Sequence, residues 1–171
     1  MNTEAFSKAA LRPFLPKDGE LLAQIFRDSI EELTVEDYDD AQRGAWIAVA
    51  DDEEAFIARL AGQLTLVATV AGSPVGFISV KGKDHIDMLY VHPSMSLCGV
   101  ATLLTDAVEK LTHARGATHL TVDASDTAEP FFKKRGFVAQ RRQTVPCGDE
   151  WLGNTHMEKR FEVQAQQGAP K

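Results

Sequence analysis

The chain has 171 residues, 44% of them hydrophobic, and a formal net charge of −7. That length and apolar content suffice for one substantial core and favour one domain over two, while the acidic balance argues against nucleic acid as a partner and towards a cationic amine. No run approaches the roughly 20 apolar residues of a spanning helix and no leader pattern opens the chain, so a soluble, cytoplasmic protein without a membrane partner is expected. Cys98 and Cys147 suit a reducing compartment, and no Cys/His spacing forms a zinc site.

In chain order, residues 1–8 and 162–171 are polar, short and aperiodic, and read as flexible tails around a single domain spanning 9–161. Leu11 to Phe14 suggests an edge strand. Pro16-Lys17-Asp18 then starts a helix whose apolar positions Leu21, Leu22, Ile25, Phe26, Ile30 and Leu33 recur at helical spacing. A second helix is expected from Tyr38 to Ala50, capped by Asp39 or Asp40, with Ala41, Ala45, Trp46 and Val49 as its buried stripe. Asp51 to Leu60 reads as a third, turning Phe56, Ile57 and Leu60 inward. From Leu64 the pattern changes to strands: Leu64 to Val70, a Gly72-Ser73-Pro74 turn, Val75 to Val80, and a further strand from Ile86 to Val91.

At the end of that last strand the period changes again. Val100, Leu103, Leu104, Ala107, Val108 and Leu111 are spaced for an amphipathic helix, and Ser96-Leu97-Cys98-Gly99-Val100-Ala101 precedes its first turn. Small residues at Gly99 and Ala101 let an anion approach the backbone, and a helix's first N–H groups point at such an anion without basic side chains. No Gly-Lys-Ser/Thr ending makes this a P-loop, and the glycines and acidic partner of a dinucleotide fingerprint are missing. Beyond the helix come Gly116, a strand from Ala117 to Ala124, a short helix near Thr127 to Arg135, Gly136, and two strands around Phe137 to Val145 and Asn154 to Phe161. Strands alternating with helices, with hairpins on either side of one βα crossover, indicate an α/β sandwich with a mixed sheet.

The strand-to-helix segment Leu89-Tyr90-Val91-His92-Pro93 through Gly99-Val100-Ala101 resembles motif A of the GNAT (GCN5-related) superfamily of acyl-CoA N-acyltransferases. Ala128-Glu129-Pro130-Phe131-Phe132-Lys133-Lys134-Arg135-Gly136-Phe137 resembles its motif B at the right distance downstream. The resemblance implies the GNAT fold, a mixed and mostly antiparallel central sheet with helices on both faces. It also implies an N-acetyltransferase moving an acetyl group from acetyl-CoA (coenzyme A) directly to a primary amine of a small molecule or peptide. An acyl-CoA-binding sensor or regulatory module is the rival, and a homodimer would suit the family.

The resemblance further implies a cofactor-binding set of Leu89, Tyr90, Val91, Leu97, Cys98, Gly99, Val100, Ala101, Thr102, Ser125, Phe131, Phe132 and Lys134. The backbone at Leu89 and Val91 would meet the acyl arm and polarise the thioester carbonyl. Lys133, Lys134 and Arg135 would lie toward the adenosine phosphates. For the base, period-two alternation puts His85 and Asp87 on the face of Leu89, histidine having the more suitable ordinary pKa. Glu31 and Glu32 are further candidates for holding a cationic acceptor, and Tyr38, Trp46, Phe56 and Trp151 for lining its pocket. Cys98 reads as a small helix-start residue, since no neighbouring base supports a nucleophile. Two departures stand out. Phe132 replaces the tyrosine that protonates the leaving sulfur, so Tyr38, Tyr90, Ser125 or water would have to substitute. Ser96 replaces the usual Gln/Arg at the start of the cradle.

Overall fold

The computed structural model describes residues 9–162. The expected tails, residue 162 excepted, lie outside the described residues. Strand β1 (Ala10–Pro13) leads through a 3-10 turn at Pro16–Asp18 into α1 (Gly19–Leu33). Asp18 is buried and takes both arms of Arg12 (2.7 and 2.8 Å) and the Leu15 amide (2.9 Å), which fixes the corner between strand and helix. Leu22, Ile25, Phe26 and Ile30 of α1 are buried as their spacing predicts, whereas Leu21 lies outside the stripe and is exposed.

Helix α2 (Asp40–Ile47) is shorter than expected and gives way to a 3-10 turn at Ala48–Ala50. Asp39 caps it in a reciprocal box with Gln42. Its inward face also differs from the apolar reading. Ala41 and Val49 are exposed, and Arg43 is buried instead, donating to the Tyr38 carbonyl (2.7 Å) and Asp40 (2.7 Å). A guanidinium there satisfies the loop carbonyl that an alanine would leave bare. Asp52 caps α3 (Glu53–Ala61) through the Ala55 amide.

Six further strands and two α-helices complete the described residues: β2 (Leu64–Val70), β3 (Ser73–Lys81), β4 (His85–Val91), α4 (Val100–Ala114), β5 (His119–Ser125), α5 (Glu129–Lys134), β6 (Val138–Cys147) and β7 (Glu150–Arg160). They form a seven-stranded sheet with β1, in the order β1-β2-β3-β4-β5-β7-β6. Every neighbouring pair is antiparallel except β4 and β5. The mixed, mostly antiparallel sheet with helices on both faces is the architecture expected.

One face packs Ile78, Val80, Ile86, Leu120 and Val122 against Val100, Leu104 and Val108 of α4 and Phe132 of α5. The other packs Val67, Phe77 and Met88 against Leu22, Phe26 and Ile30 of α1 and Phe56 and Leu60 of α3. Gly76 sets how closely α4 approaches. A Cβ there would come within 3.1 Å of both Val100 Cγ1 and the Tyr90 carbonyl, so its absence seats the start of α4 directly on β3 and β4.

Two irregularities in β4 shape the middle of the sheet. Ser79 pairs with Met88 and Val80 with Ile86, leaving Asp87 as an extra residue in a bulge. On its other side β4 pairs with β5 only at His85–Thr121 and Ile86–Val122, after which the parallel strands diverge. β3 stays beside β4 to Val91, and β7 stays beside β5 to Ser125, so the sheet opens along one seam.

Candidate acyl-donor and acceptor cleft

The open seam continues into a cavity of about 730 Å³ bounded by β4, β5, the start of α4, α5, α1, α2 and the β6–β7 hairpin. The bulge decides which backbone groups face it. The His92 N–H donates to the Val75 carbonyl (2.8 Å). Alternation along an antiparallel pair then turns Tyr90 and Met88 toward β3, so the main-chain groups of Leu89 and Val91 point into the opening. Their side chains pack on the α4 face. They offer donors and acceptors to an extended ligand without any polar side chain.

The bulge also corrects the alternation reading of β4. With Asp87 supernumerary, His85 and Asp87 fall on the face opposite Leu89. Asp87 meets α3 there: Arg59 grips it with two bonds (2.8 and 2.9 Å) and Gln63 adds a third (2.9 Å). Burial pushes the Asp87 carboxyl up, but those hydrogen bonds and the Arg59 charge outweigh it and hold the group below the ordinary carboxylate range. Asp87 lines the cavity as one half of an ion pair. His85 sits where β4 and β5 are still paired, bonded through Nδ1 to Thr121 Oγ1 (2.7 Å), and is not on the cavity wall.

At the mouth of the seam lies the segment that leads into α4. Gly99 has φ +84°, in the left-handed region, and caps α4. Nothing lies within 4 Å of where its Cβ would be, so the space before the first turn is open. Leu103 N–H is bonded to the Gly99 carbonyl, and the amides ahead of it have no intrahelical partner by helix geometry. Leu97 is also left-handed (φ 60°) and its side chain is fully exposed. The residues fit an anionic, extended thiol carrier: unpartnered amides and a positive helix end at the mouth, free main-chain groups along the seam.

Of the residues singled out from sequence, Leu89, Tyr90, Val91, Leu97, Gly99, Val100, Ala101, Thr102, Ser125, Phe131 and Phe132 line the cavity. Cys98 and Lys134 do not. Cys98 turns its thiol to the Ser96 carbonyl (3.3 Å), and Lys133 and Lys134 are exposed. Arg135 is committed to Asp106 and Glu109 of α4, so it ties α5 to α4. Phe132 is buried between Phe131 and Phe137, ring centroids 5.2 and 5.1 Å away.

The acceptor side is also redistributed. Tyr38 and Trp46 reach the wall, Phe56 lies in the core, Trp151 is exposed, and Glu31 and Glu32 are solvent-facing and off the wall. Tyr38 donates to the Gly153 carbonyl (2.6 Å) and accepts from the Asp126 amide (3.0 Å). Burial raises its pKa despite the amide bond. Tyr90 accepts from Trp46 Nε1 (3.2 Å), and burial raises its pKa strongly. Arg59, Asp123, Val145, Pro146 and Cys147 join the wall without having been singled out. Sheet order brings the four strand residues there and the packing of α3 brings Arg59, and no local spacing signals either. Asp123 takes His156 Nδ1 (2.6 Å) and Gln143 Nε2 (3.0 Å).

The sheet is thus split between parallel β4 and β5, with a helix start at the mouth of the split. The family model for the acetyltransferase (GNAT) domain matches residues 34–161, and the chain belongs to that family. It is 35% identical over 147 residues to the uncharacterized N-acetyltransferase YafP of Escherichia coli (strain K12), covering 86% of this chain and 93% of that one. The crystal structure described as a GCN5-related N-acetyltransferase, aminotransferase class-II, from Rhodopseudomonas palustris is 58% identical, with a TM-score of 0.89 over 90% of this chain and 96% of that one. The PaiA N-acetyltransferase of Thermoplasma acidophilum, solved in complex with coenzyme A, shares the fold at 19% identity, with a TM-score of 0.75 over 90% and 99% of the two chains. Among the described residues no helix is long and apolar enough to cross a membrane.

Proposed function

We propose that the protein is an acetyl-CoA-dependent N-acetyltransferase acting on a primary amine of a small molecule or peptide. The observation that carries this reading is the continuity of one cavity from the Gly99 cradle, along the free backbone of Leu89 and Val91, to a pocket beneath α1 and α2. The amides around Gly99 to Thr102 hold the diphosphate. The extended arm lies along β4, and the main-chain N–H near Leu89 meets the thioester oxygen, where a preorganised donor contributes about 3 kcal/mol as charge develops. Acetyl-CoA supplies the activated acyl group.

Phe132 places no hydroxyl on α5, and a thiolate leaves tolerably without one because its conjugate acid has a pKa near 8.5. The same residue motivates the rival reading, an acyl-CoA sensor. The test is thiol release from acetyl-CoA with an amine panel, with mass spectrometry of the acceptor. Acceptor-dependent thiol and an acetylated amine support the enzyme. Tight donor binding with no acceptor-dependent thiol across the panel supports the sensor.

A further inference from the structure

The acceptor end of the cavity is walled by Phe26, Ile30, Trp46, Val49, Met88 and Tyr90. Every ionisable side chain on the cavity wall is already engaged or held neutral. Arg59 and Asp87 are bonded to each other. Asp123 accepts from His156 and Gln143, and the Tyr38 hydroxyl is spent on Gly153 and Asp126. Burial keeps the Tyr90 hydroxyl and the Cys147 thiol protonated. The aromatic rings can attract a cation through their faces, yet they cannot take its proton. Beside Asp123, His85 Nε2 stands 3.6 Å away and His156 is bonded through Nδ1, both behind the wall, so an alkylammonium entering this pocket would find no unpaired carboxylate and no imidazole on the wall among the described residues.

An amine that arrives neutral needs neither. Resting on the acetyltransferase reading above, we infer that the acceptor is a weakly basic amine on an apolar body, an arylamine-type nitrogen, rather than an alkylammonium or polyamine. The nitrogen lone pair attacks the thioester carbonyl carbon and the C–N bond forms. The C–S bond breaks and sulfur departs with its electron pair. The nitrogen, positively charged once acylated, gives its proton to sulfur directly or through water, leaving an amide and a free thiol. The proton released at nitrogen is the one sulfur needs, so the step closes without the tyrosine that Phe132 replaces.

The experiment compares 4-butylaniline with 4-butylbenzylamine, nearly matched in apolar surface and different in basicity, and adds spermidine. Thiol release gives kcat/KM, and calorimetry on protein saturated with coenzyme A gives acceptor binding independently of turnover. At neutral pH the aniline should exceed the benzylamine by at least about tenfold in kcat/KM, with a rate nearly flat from about pH 6 to 9 while the benzylamine's rises about tenfold per unit. Val49 is 40% exposed, so Val49→Asp is expected to fold. It should weaken aniline binding by about tenfold or more and improve the two strong bases. Faster turnover or tighter binding of benzylamine or spermidine by the unaltered protein at neutral pH overturns the inference alone. Absence of both acetyl-CoA binding heat and thiol release in every arm overturns it together with the acetyltransferase reading.

Discussion

Gly99→Ala separates the cradle from the scaffold. Gly99 holds φ +84°, and its missing Cβ would meet nothing within 4 Å. The substitution therefore adds no clash, and its cost is the left-handed backbone alone, about 1–2 kcal/mol for an L-residue. Gly116, just beyond the other end of α4, has φ +97° and the same open surroundings, so Gly116→Ala should lose a similar amount of stability. The two should diverge at the ligand. Relaxing the cap at position 99 turns the first-turn amides away from the diphosphate. Loss of one charge-assisted bond is worth about 1.5–3 kcal/mol, or roughly a 10- to 150-fold rise in Kd for coenzyme A. Gly116→Ala should leave that Kd within about twofold of the unaltered protein. Urea unfolding and calorimetry with coenzyme A read both quantities. Equal coenzyme A affinity in the two variants would refute the assignment of the cradle.

Phe132→Tyr returns the motif B hydroxyl and should raise kcat by about tenfold or more with strongly basic amines, with little change for anilines, as followed by thiol release. Tyr38→Phe removes the link from the α1–α2 loop to Gly153 and Asp126; a stability loss of about 1–3 kcal/mol and faster hydrogen exchange at the Asp126 amide are expected. Asp18 is held below the ordinary carboxylate range chiefly by the Arg12 hydrogen bonds. Its contribution is thus present above the unfolded carboxylate value and lost as pH falls through the lowered one. Asp18→Asn should destabilise at neutral pH by about 1–3 kcal/mol and by much less near pH 2, checked by urea titration at both.

The fold was legible where a residue pattern acts locally. The spacing of Leu22, Ile25, Phe26 and Ile30 marks α1, and the small residues after β4 mark the start of α4. What failed depended on partners distant in the chain. Period-two alternation misplaced His85 and Asp87 because a bulge belongs to a pair of strands, and only Ser79 and Val80 opposite reveal it. Glu31 and Glu32 looked like acceptor ligands because a helix end gives no sign of which side meets the sheet. Arg43 was not singled out, yet it is buried on the inward side of α2, and Arg135, expected to lie toward the adenosine phosphates, ties α5 to α4 instead. Arg59 meets Asp87 across 28 positions of sequence, a separation that no local period encodes.

The supernumerary residue at Asp87 carries a final consequence. The half-step in the pleat accommodates one extra residue while the pairs on either side of it stay in place, and it carries a carboxylate onto the face that α3 covers. Excising that one residue would leave Ile86 opposite Val80 and Met88 opposite Ser79 in an unbroken ladder, so Met88 to Val91 would keep their orientation and the Leu89 and Val91 amides would still point away from β3, while the bonds from Arg59 and Gln63 would be lost. Substitution at Asp87 and its deletion should consequently share one main effect, the freeing of Arg59 from its carboxylate.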